Sequence, residues 1–357
     1  MSELIKADEF KRLLCDGIPM LDVRAPVEFN QGAFPHVSNI PLLNDEQRQQ
    51  VGLCYKTQGQ DKAIQLGHKL ISGETKARLI EKWRLFCQQN PDACLYCFRG
   101  GMRSHLVQEW LKNEGVYIPL IEGGYKAMRG YLLEVLEQPL NLIRISGQTG
   151  VGKTDLLVKL QNNIDLEALA NHRGSAFGKQ ISRQPSQIDF ENNLAIEILK
   201  KRLQPDSPII VEDESRYIGS INLPHTFIQN MKSAPVIILT CPQEQRIDRI
   251  FKDYVVSQES AYIEIHPENG LQLFADSLQL ALKKIQKRLG GARYKHLNEI
   301  MQQALNLQSE QLHKKWISDL LDFYYDPMYQ YQLDKKSNKT IFVGNQFELY
   351  DYIKQAT

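Results

Sequence analysis

Short apolar runs alternate with amphipathic stretches along the first 136 residues. Met20-Leu21-Asp22-Val23 has the length and composition of a short buried strand, and Ala93–Cys97 and Tyr117–Ile121 repeat that pattern. Between them, Ala77, Leu79, Ile80, Trp83 and Phe86 follow a helical period over Lys76–Gln89. A second helix spans Ser104–Asn113 and stops at Gly115, and a third follows Glu122-Gly123-Gly124 and runs through Leu136. Strands alternating with helices predict an α/β domain with a largely parallel sheet. The pattern breaks at Glu137-Gln138-Pro139 and resumes with the strand Leu142–Ser146, then Pro208–Val211 and Pro235–Thr240; residues 271–324 read as mainly helical. The expectation is two α/β domains, 1–137 and 138–357, the second with a helical C-terminal extension. No internal repeat or low-complexity tract interrupts them.

Composition narrows the class. With 42% hydrophobic and 24% charged residues in 357, the chain is an ordinary globular one, long enough for two real cores. No run approaches the ~18 apolar residues of a membrane span, and the charged start lacks the apolar core of a signal peptide. Six cysteines are too sparse for a disulfide framework, so a cytoplasmic location and no membrane partner are expected. A net charge of +1 means that any nucleic-acid surface must be local.

Two segments carry chemistry, each after a strand and before a helix. The first is Cys97-Phe98-Arg99-Gly100-Gly101-Met102-Arg103, continuing into Ser104. Loop and first-turn amides favour negative charge, and a thiol so placed ionises more readily and becomes a nucleophile. Gly100 and Gly101 let the backbone curl around an anion, and Arg99 and Arg103 add positive charge. Cys94 completes a C-x-x-C with Cys97, but residues three apart on a strand face opposite sides, which makes Cys94 a core residue. Leu21–Phe29, Gly32-Ala33-Phe34-Pro35, Asn39-Ile40-Pro41-Leu42, the cysteine loop and Glu122-Gly123-Gly124-Tyr125 together resemble the rhodanese domains. That resemblance implies a chalcogen-carrying Cys97. The spacing is Cys-x5-Arg where the common sulfurtransferase loop is Cys-x4-Arg; the longer loop is similar to phosphatases of the same fold, so chalcogen, phosphate and arsenate chemistry stay open on the loop alone.

The second segment, Gly147-Gln148-Thr149-Gly150-Val151-Gly152-Lys153-Thr154, fits G-x-x-x-x-G-K-[ST] between a strand and the apolar positions Leu156, Leu157 and Leu160. Its amides cradle phosphate oxygens, Lys153 neutralises them, and Thr154 can hold Mg²⁺. A second Mg²⁺ contact is expected from the carboxylates after the strand ending at Val211, Asp213 first and Glu212 next. The block Asp165–Gly178, with His172, Arg173 and Ser175, suits a substrate loop, and Arg216 is its expected companion.

Both domains in this order, with Gly52–Lys56, Gly67-His68, Asp165–Gly178, Val211–Arg216 and Tyr324-Tyr325-Asp326-Pro327-Met328-Tyr329, resemble the bacterial tRNA 2-selenouridine synthases over nearly the whole length. The resemblance implies a rhodanese-like domain followed by a P-loop domain, and a two-step reaction on a tRNA wobble uridine. The 2-thio group is first alkylated by geranyl diphosphate; selenium from selenophosphate then displaces the alkyl-sulfur group. Lys153 and the P-loop would serve the first step and Cys97 the second, with tRNA and a selenophosphate-producing enzyme as partners. The sequence is silent on oligomeric state. For tRNA contact, Lys283, Lys284, Lys287, Arg288, Arg293 and Lys295 lie in a stretch without acidic residues between Asp276 and Glu299, and Tyr324, Tyr325, Tyr329 and Tyr331 are candidates to stack on bases. Three other readings compete. They are a P-loop kinase or ATPase with a regulatory rhodanese-fold module, a phosphatase or arsenate reductase, and a non-enzymatic tRNA-binding protein.

Overall fold

A computed structural model describes residues 4–203, 207–334 and 339–356. The chain forms two compact units: Met1–Gln138 with Ser186–Lys200, and Pro139–Pro185 with Lys201–Thr357.

The first unit holds a five-stranded sheet of β1 (Leu4–Ile5), β2 (Met20–Asp22), β3 (Val37–Asn39), β4 (Cys94–Tyr96) and β5 (Leu120–Ile121), in the order β1-β5-β4-β2-β3. Every neighbouring pair is parallel. Helices on the faces of such a sheet bury both sides of its strands, and β2 and β4 are buried at every position. Trp83, Trp110, Leu95 and Val107 are among the residues of the core on one face. The strand expected at Tyr117–Ile121 shrinks to its last two residues, because Tyr117 is exposed and only Leu120 and Ile121 pair with neighbours. Two further helices, Asp45–Gln58 and Gln60–Leu70, follow β3. A reciprocal capping box between Asn44 and Gln47 starts the first. Cys54 is its sole fully buried side chain, so it carries no apolar stripe to read.

The expected second domain, 138–357, is interrupted. Helix Gln187–Lys201 runs in its sequence, yet residues 186–200 belong to the first unit. Ala33 N–H donates to Asp189 at 2.8 Å, Asn192 donates to Ala33 C=O at 2.7 Å, and Arg129 pairs with Glu191. Asn192 is fully buried and its partners are partly buried, so these bonds are shielded from bulk water and fix the helix in place.

The second unit has a sheet of β6 (Leu142–Ser146), β7 (Asn163–Ile164), β8 (Ile209–Glu212), β11 (Val236–Leu239) and β12 (Thr340–Gly344), ordered β12-β11-β6-β8-β7 and parallel throughout. Before β11 lies a small hairpin, β9 (Tyr217–Ile218) and β10 (Ile221–Asn222). The central strand β6 is buried at all five positions. It even encloses Arg144, whose charge is matched by Asp213 at 2.9 Å. Helices Gly270–Leu289, Gly291–Leu307 and Glu310–Leu320 close on a separate core around Phe274, Leu282, Met301 and Trp316. No helix among the described residues is long and apolar enough to cross a membrane.

Candidate functional site

In the first unit, Cys97 follows β4 and is 2% exposed. Its Sγ lies 3.2 Å from Ser104 Oγ, which also donates to Gly101 C=O at 2.9 Å. Ser104 can therefore turn its proton from that carbonyl to a thiolate. The segment Glu122–Tyr125 braces the loop. Tyr125 and Lys126 N–H donate to the carbonyls of Cys97 and Phe98 at 2.9 and 3.0 Å. Gly124, at φ +59°, comes so close that a Cβ there would overlap Cys97 O and Gly100 N. Arg24, 1% exposed, secures the other side: it pairs with Asp22 at 2.7 Å, donates to Gly32 C=O and lies 3.8 Å from the Tyr125 ring centre.

The two loop arginines are not both free charges at the thiol. Arg103 is bound to Glu28 at 2.6 Å, and Arg48 reaches the same carboxylate at 3.2 Å. Burial opposes ionisation of Glu28, but Arg103, the Ala25 N–H and Arg48 outweigh it and hold the carboxyl below its usual range. Arg99 is exposed and lines a separate groove with Lys126 and Tyr131. Phe98 rests against Tyr125, and Met102 opens helix Met102–Asn113 half exposed. Cys94 is fully buried and its thiol is pushed up to about 12 by burial, as suits a core residue.

In the second unit, Gly147–Thr154 joins β6 to a helix of five residues, Lys153–Leu157. The sheet order places β6 between β11 and β8, so the loop emerges at the strands' C-terminal ends, where open α/β sheets bind ligands. Helix Gln243–Phe251 props it up from behind. Arg246, 2% exposed, donates to Thr149 C=O at 2.9 Å and forms two bonds with Asp326 at 2.9 and 2.6 Å. Arg249 donates to Gly150 C=O at 2.6 Å and pairs with Asp155 at 2.8 Å. Gly150 sits at φ +78° with no room for a side chain: a Cβ would lie 2.6 Å from Ile250 Cδ1 and 3.0 Å from Arg246 O.

The loop faces a cavity of about 500 Å³ lined by Thr149, Gly150, Gly152, Lys153, Thr154, His172, Arg173 and Ser175. Lys153 Nζ rests on Gly147 O at 3.2 Å. The acid at Thr154 is Glu212, not Asp213: Thr154 Oγ1 donates to Glu212 Oε1 at 2.8 Å, while Asp213 turns the other way to Arg144. Adjacent residues at a strand end face opposite sides, which explains the exchange. Glu212 is 1% exposed and its second oxygen has no hydrogen-bond partner. Glu167 and Glu214 each bring an oxygen within 4.8 Å of it and of each other. Burial raises the pKa of Glu167, with Glu212 and Glu214 adding repulsion; burial likewise raises Glu212 against the pull of Lys153.

The expected substrate loop is brought in only in part. His172 is buried at the cavity wall, and burial, then Lys284, lowers its pKa. Arg173 lines the cavity and pairs with Asp253 at 3.0 Å. Arg216 lies outside it, bonded to Asn222 on the hairpin at 3.1 Å. Glu167, Glu214 and Asp326 lie in the blocks Asp165–Gly178, Val211–Arg216 and Tyr324–Tyr329 without roles of their own there, and Arg246 and Arg249 went unread in the sequence. For those two arginines the local signal is their spacing of one helical turn.

Lys283, Lys284, Lys287, Arg288, Arg293 and Lys295 are all exposed on the two consecutive helices Gly270–Leu289 and Gly291–Leu307. Tyr324 and Tyr325 are instead buried in the helical core, where ring packing outweighs any use as stacking platforms. Tyr331 is exposed, and Tyr329 is half-buried.

A glycine-rich loop facing carboxylates across a half-open polar cavity, at the C-terminal edge of a parallel sheet, defines a P-loop-like α/β domain. Residues 140–357 match the family described as the tRNA 2-selenouridine synthase AAA domain. Over 98% of both chains the protein is 49% identical to the tRNA 2-selenouridine synthase of Pseudomonas syringae pv. tomato DC3000. It is 48% identical to that of Pseudomonas putida GB-1, over 97% of this chain and 96% of the relative. The chain belongs to the tRNA 2-selenouridine synthase family, and it is an enzyme of the transferase class.

Proposed function

We propose that the chain converts the wobble 2-thiouridine of tRNA into 2-selenouridine in two steps, through S-geranyl-2-thiouridine, with geranyl diphosphate and selenophosphate as co-substrates. The observation that carries the reading is the presence of two complete reaction loops, one in each unit: a braced thiol and a phosphate loop with its own polar cavity.

In the first step the base sulfur attacks the geranyl carbon bonded to oxygen, that C–O bond breaks, and pyrophosphate leaves. Lys153 and the loop amides stabilise the charge that develops on the leaving group. The donor set fits Mg²⁺: Thr154 Oγ1 and the unpartnered Glu212 oxygen, with Glu167 and Glu214 near, are all oxygen ligands. Such an ion would neutralise phosphate charge. Asp213, held by Arg144, has no part in this.

A thiocarbonyl sulfur leaves poorly, and alkylation makes it a better leaving group. In the second step the selenium of selenophosphate, which stays at the selenide level and is held at the Cys97 loop of a rhodanese-like unit, attacks the base carbon. The carbon–sulfur bond breaks, geranyl thiol leaves with a proton, and water cleaves the selenium–phosphorus bond to release phosphate. Phosphate contacts from Lys283, Lys284, Lys287, Arg288 and Lys295 hold the tRNA. Arg293 contributes less freely, because its guanidinium packs on Phe323 at 5.3 Å. A selenophosphate-producing enzyme is the expected source of the donor.

Mass spectrometry of wobble nucleosides in selenite-grown cells tests the division of labour. Cys97→Ser should accumulate S-geranyl-2-thiouridine without 2-selenouridine; Lys153→Ala should leave plain 2-thiouridine. Identical profiles, or an intermediate that builds up only in Lys153→Ala, refute it.

A further inference from the structure

The first unit contains a cavity that the phosphate and thiol chemistry does not use. It measures about 870 Å³ and lies between helices Asp45–Gln58 and Gln60–Leu70, with Met102, Arg103 and Leu106 of the cysteine loop and its helix as another wall. Its lining is mostly apolar, including Leu43, Val51, Leu53, Ile64 and Ile71. Leu53 is 61% exposed and Met102 50%, so apolar surface stands open in the cavity. Around this floor stand Arg48, Lys56, His68 and Arg103, with Glu28 as the lining carboxylate, itself paired to Arg48 and Arg103.

Two glycines strengthen the case. Gly52 and Gly67 sit inside the two helices, where glycine weakens a helix relative to alanine. Both line the cavity, and a Cβ built on either meets no protein atom within 4 Å. Neither glycine is needed for a tight backbone approach, so the protein's own packing gives no reason for them. Each leaves open space in the cavity wall.

We propose that this cavity receives the apolar chain carried on the sulfur of the tRNA base while that base is presented to Cys97. The inference rests on the two-step reading above. The match is one of shape and charge: an apolar trough of ligand-binding size, rimmed by cations and opening beside the thiol loop, suits an uncharged hydrocarbon tethered to a polyanion. An uncharged lipid would use the trough but would not need the cationic rim.

The test uses full-length protein and two anticodon stem-loop RNAs, carrying S-geranyl- or S-methyl-2-thiouridine, with affinities read by fluorescence anisotropy. The wild type should bind the geranyl RNA at least tenfold more tightly than the methyl RNA. Gly52→Leu and Gly67→Leu fill open space, and Leu53→Asn changes an exposed position. Each should cut that preference to less than threefold while affinity for the methyl RNA holds. Absence of the preference in the wild type, its survival in all three variants, or an equal loss for both RNAs overturns the proposal. The two-step reading is judged separately, by adding selenophosphate to wild-type protein and geranyl RNA: no 2-selenouridine overturns that reading even if the apolar preference is present.

Discussion

The clamp behind the phosphate loop makes a prediction that can be worked through in numbers. Arg246 is 2% exposed and carries three bonds: one to the Thr149 carbonyl and two to Asp326, whose side chain is 22% exposed. Asp326→Asn keeps the shape but leaves a buried guanidinium without its counter-charge. Breaking a buried pair in this way costs about 3–5 kcal/mol, and the partial exposure of Asp326 sets the value near 3 kcal/mol. Arg246→Met strands a carboxylate that water already reaches, at about 1 kcal/mol, and orphans the Thr149 carbonyl for about 1 kcal/mol more. The double variant leaves no unpaired charge and keeps only the Thr149 loss of about 1 kcal/mol, so it falls short of the sum of the two single losses by about 4 kcal/mol. Urea denaturation of the second unit measures all four proteins; the largest loss corresponds to a melting decrease of about 6–12 °C for a unit of this size. Pyrophosphate titration calorimetry reads the loop itself. Arg246→Met frees Thr149 and should weaken binding about tenfold, or about 1.4 kcal/mol, whereas Asp326→Asn, which keeps the Thr149 bond, should weaken it less. Additive losses within 0.5 kcal/mol, or unchanged pyrophosphate affinity in Arg246→Met, would show that the clamp does not shape the loop.

Glu167 and Glu212 have pKa values raised in the folded state, so the stability they leave intact below the ordinary carboxylate pKa of about 4.3 is lost as pH rises through their raised values. Melting of the metal-free protein should fall from pH 5 to pH 8, Mg²⁺ should restore it most at pH 8, and Glu212→Gln should flatten the fall and remove the Mg²⁺ effect; Asp213→Asn should leave the Mg²⁺ effect in place. An Asp213→Asn protein blind to Mg²⁺ would reverse the assignment of the two acids. Replacing Lys283, Lys287 and Arg288 together by Ala should reduce the slope of log affinity for tRNA against log salt by about 2–3; an unchanged slope puts the tRNA elsewhere.

Sequence alone determined what is contiguous. The strand, loop and helix start of each candidate loop are consecutive residues, so Cys97–Arg103 and Gly147–Thr154 stand out as candidate anion-binding loops without any knowledge of the fold. Strands such as Leu142–Ser146 were legible for the same reason: a strand buried on both faces is an unbroken apolar run, interrupted here only by Arg144. What needed three dimensions was every choice between neighbours and every contact between distant residues. Glu212 and Asp213 are indistinguishable in composition, and the side of β8 each faces decides which meets Thr154 and which meets Arg144. Tyr324 and Tyr325 look like stacking residues until the helices close around them. Asp326 meets Arg246 across 80 residues, and Asn192 meets Ala33 across 159, so no local window contains either pair. Helix Gln187–Lys201 has an apolar face that any α/β sheet could cover. It joins the first unit because Asp189, Glu191 and Asn192 find their partners at Ala33 and Arg129, and partners so distant along the chain are a property of the fold, not of local sequence.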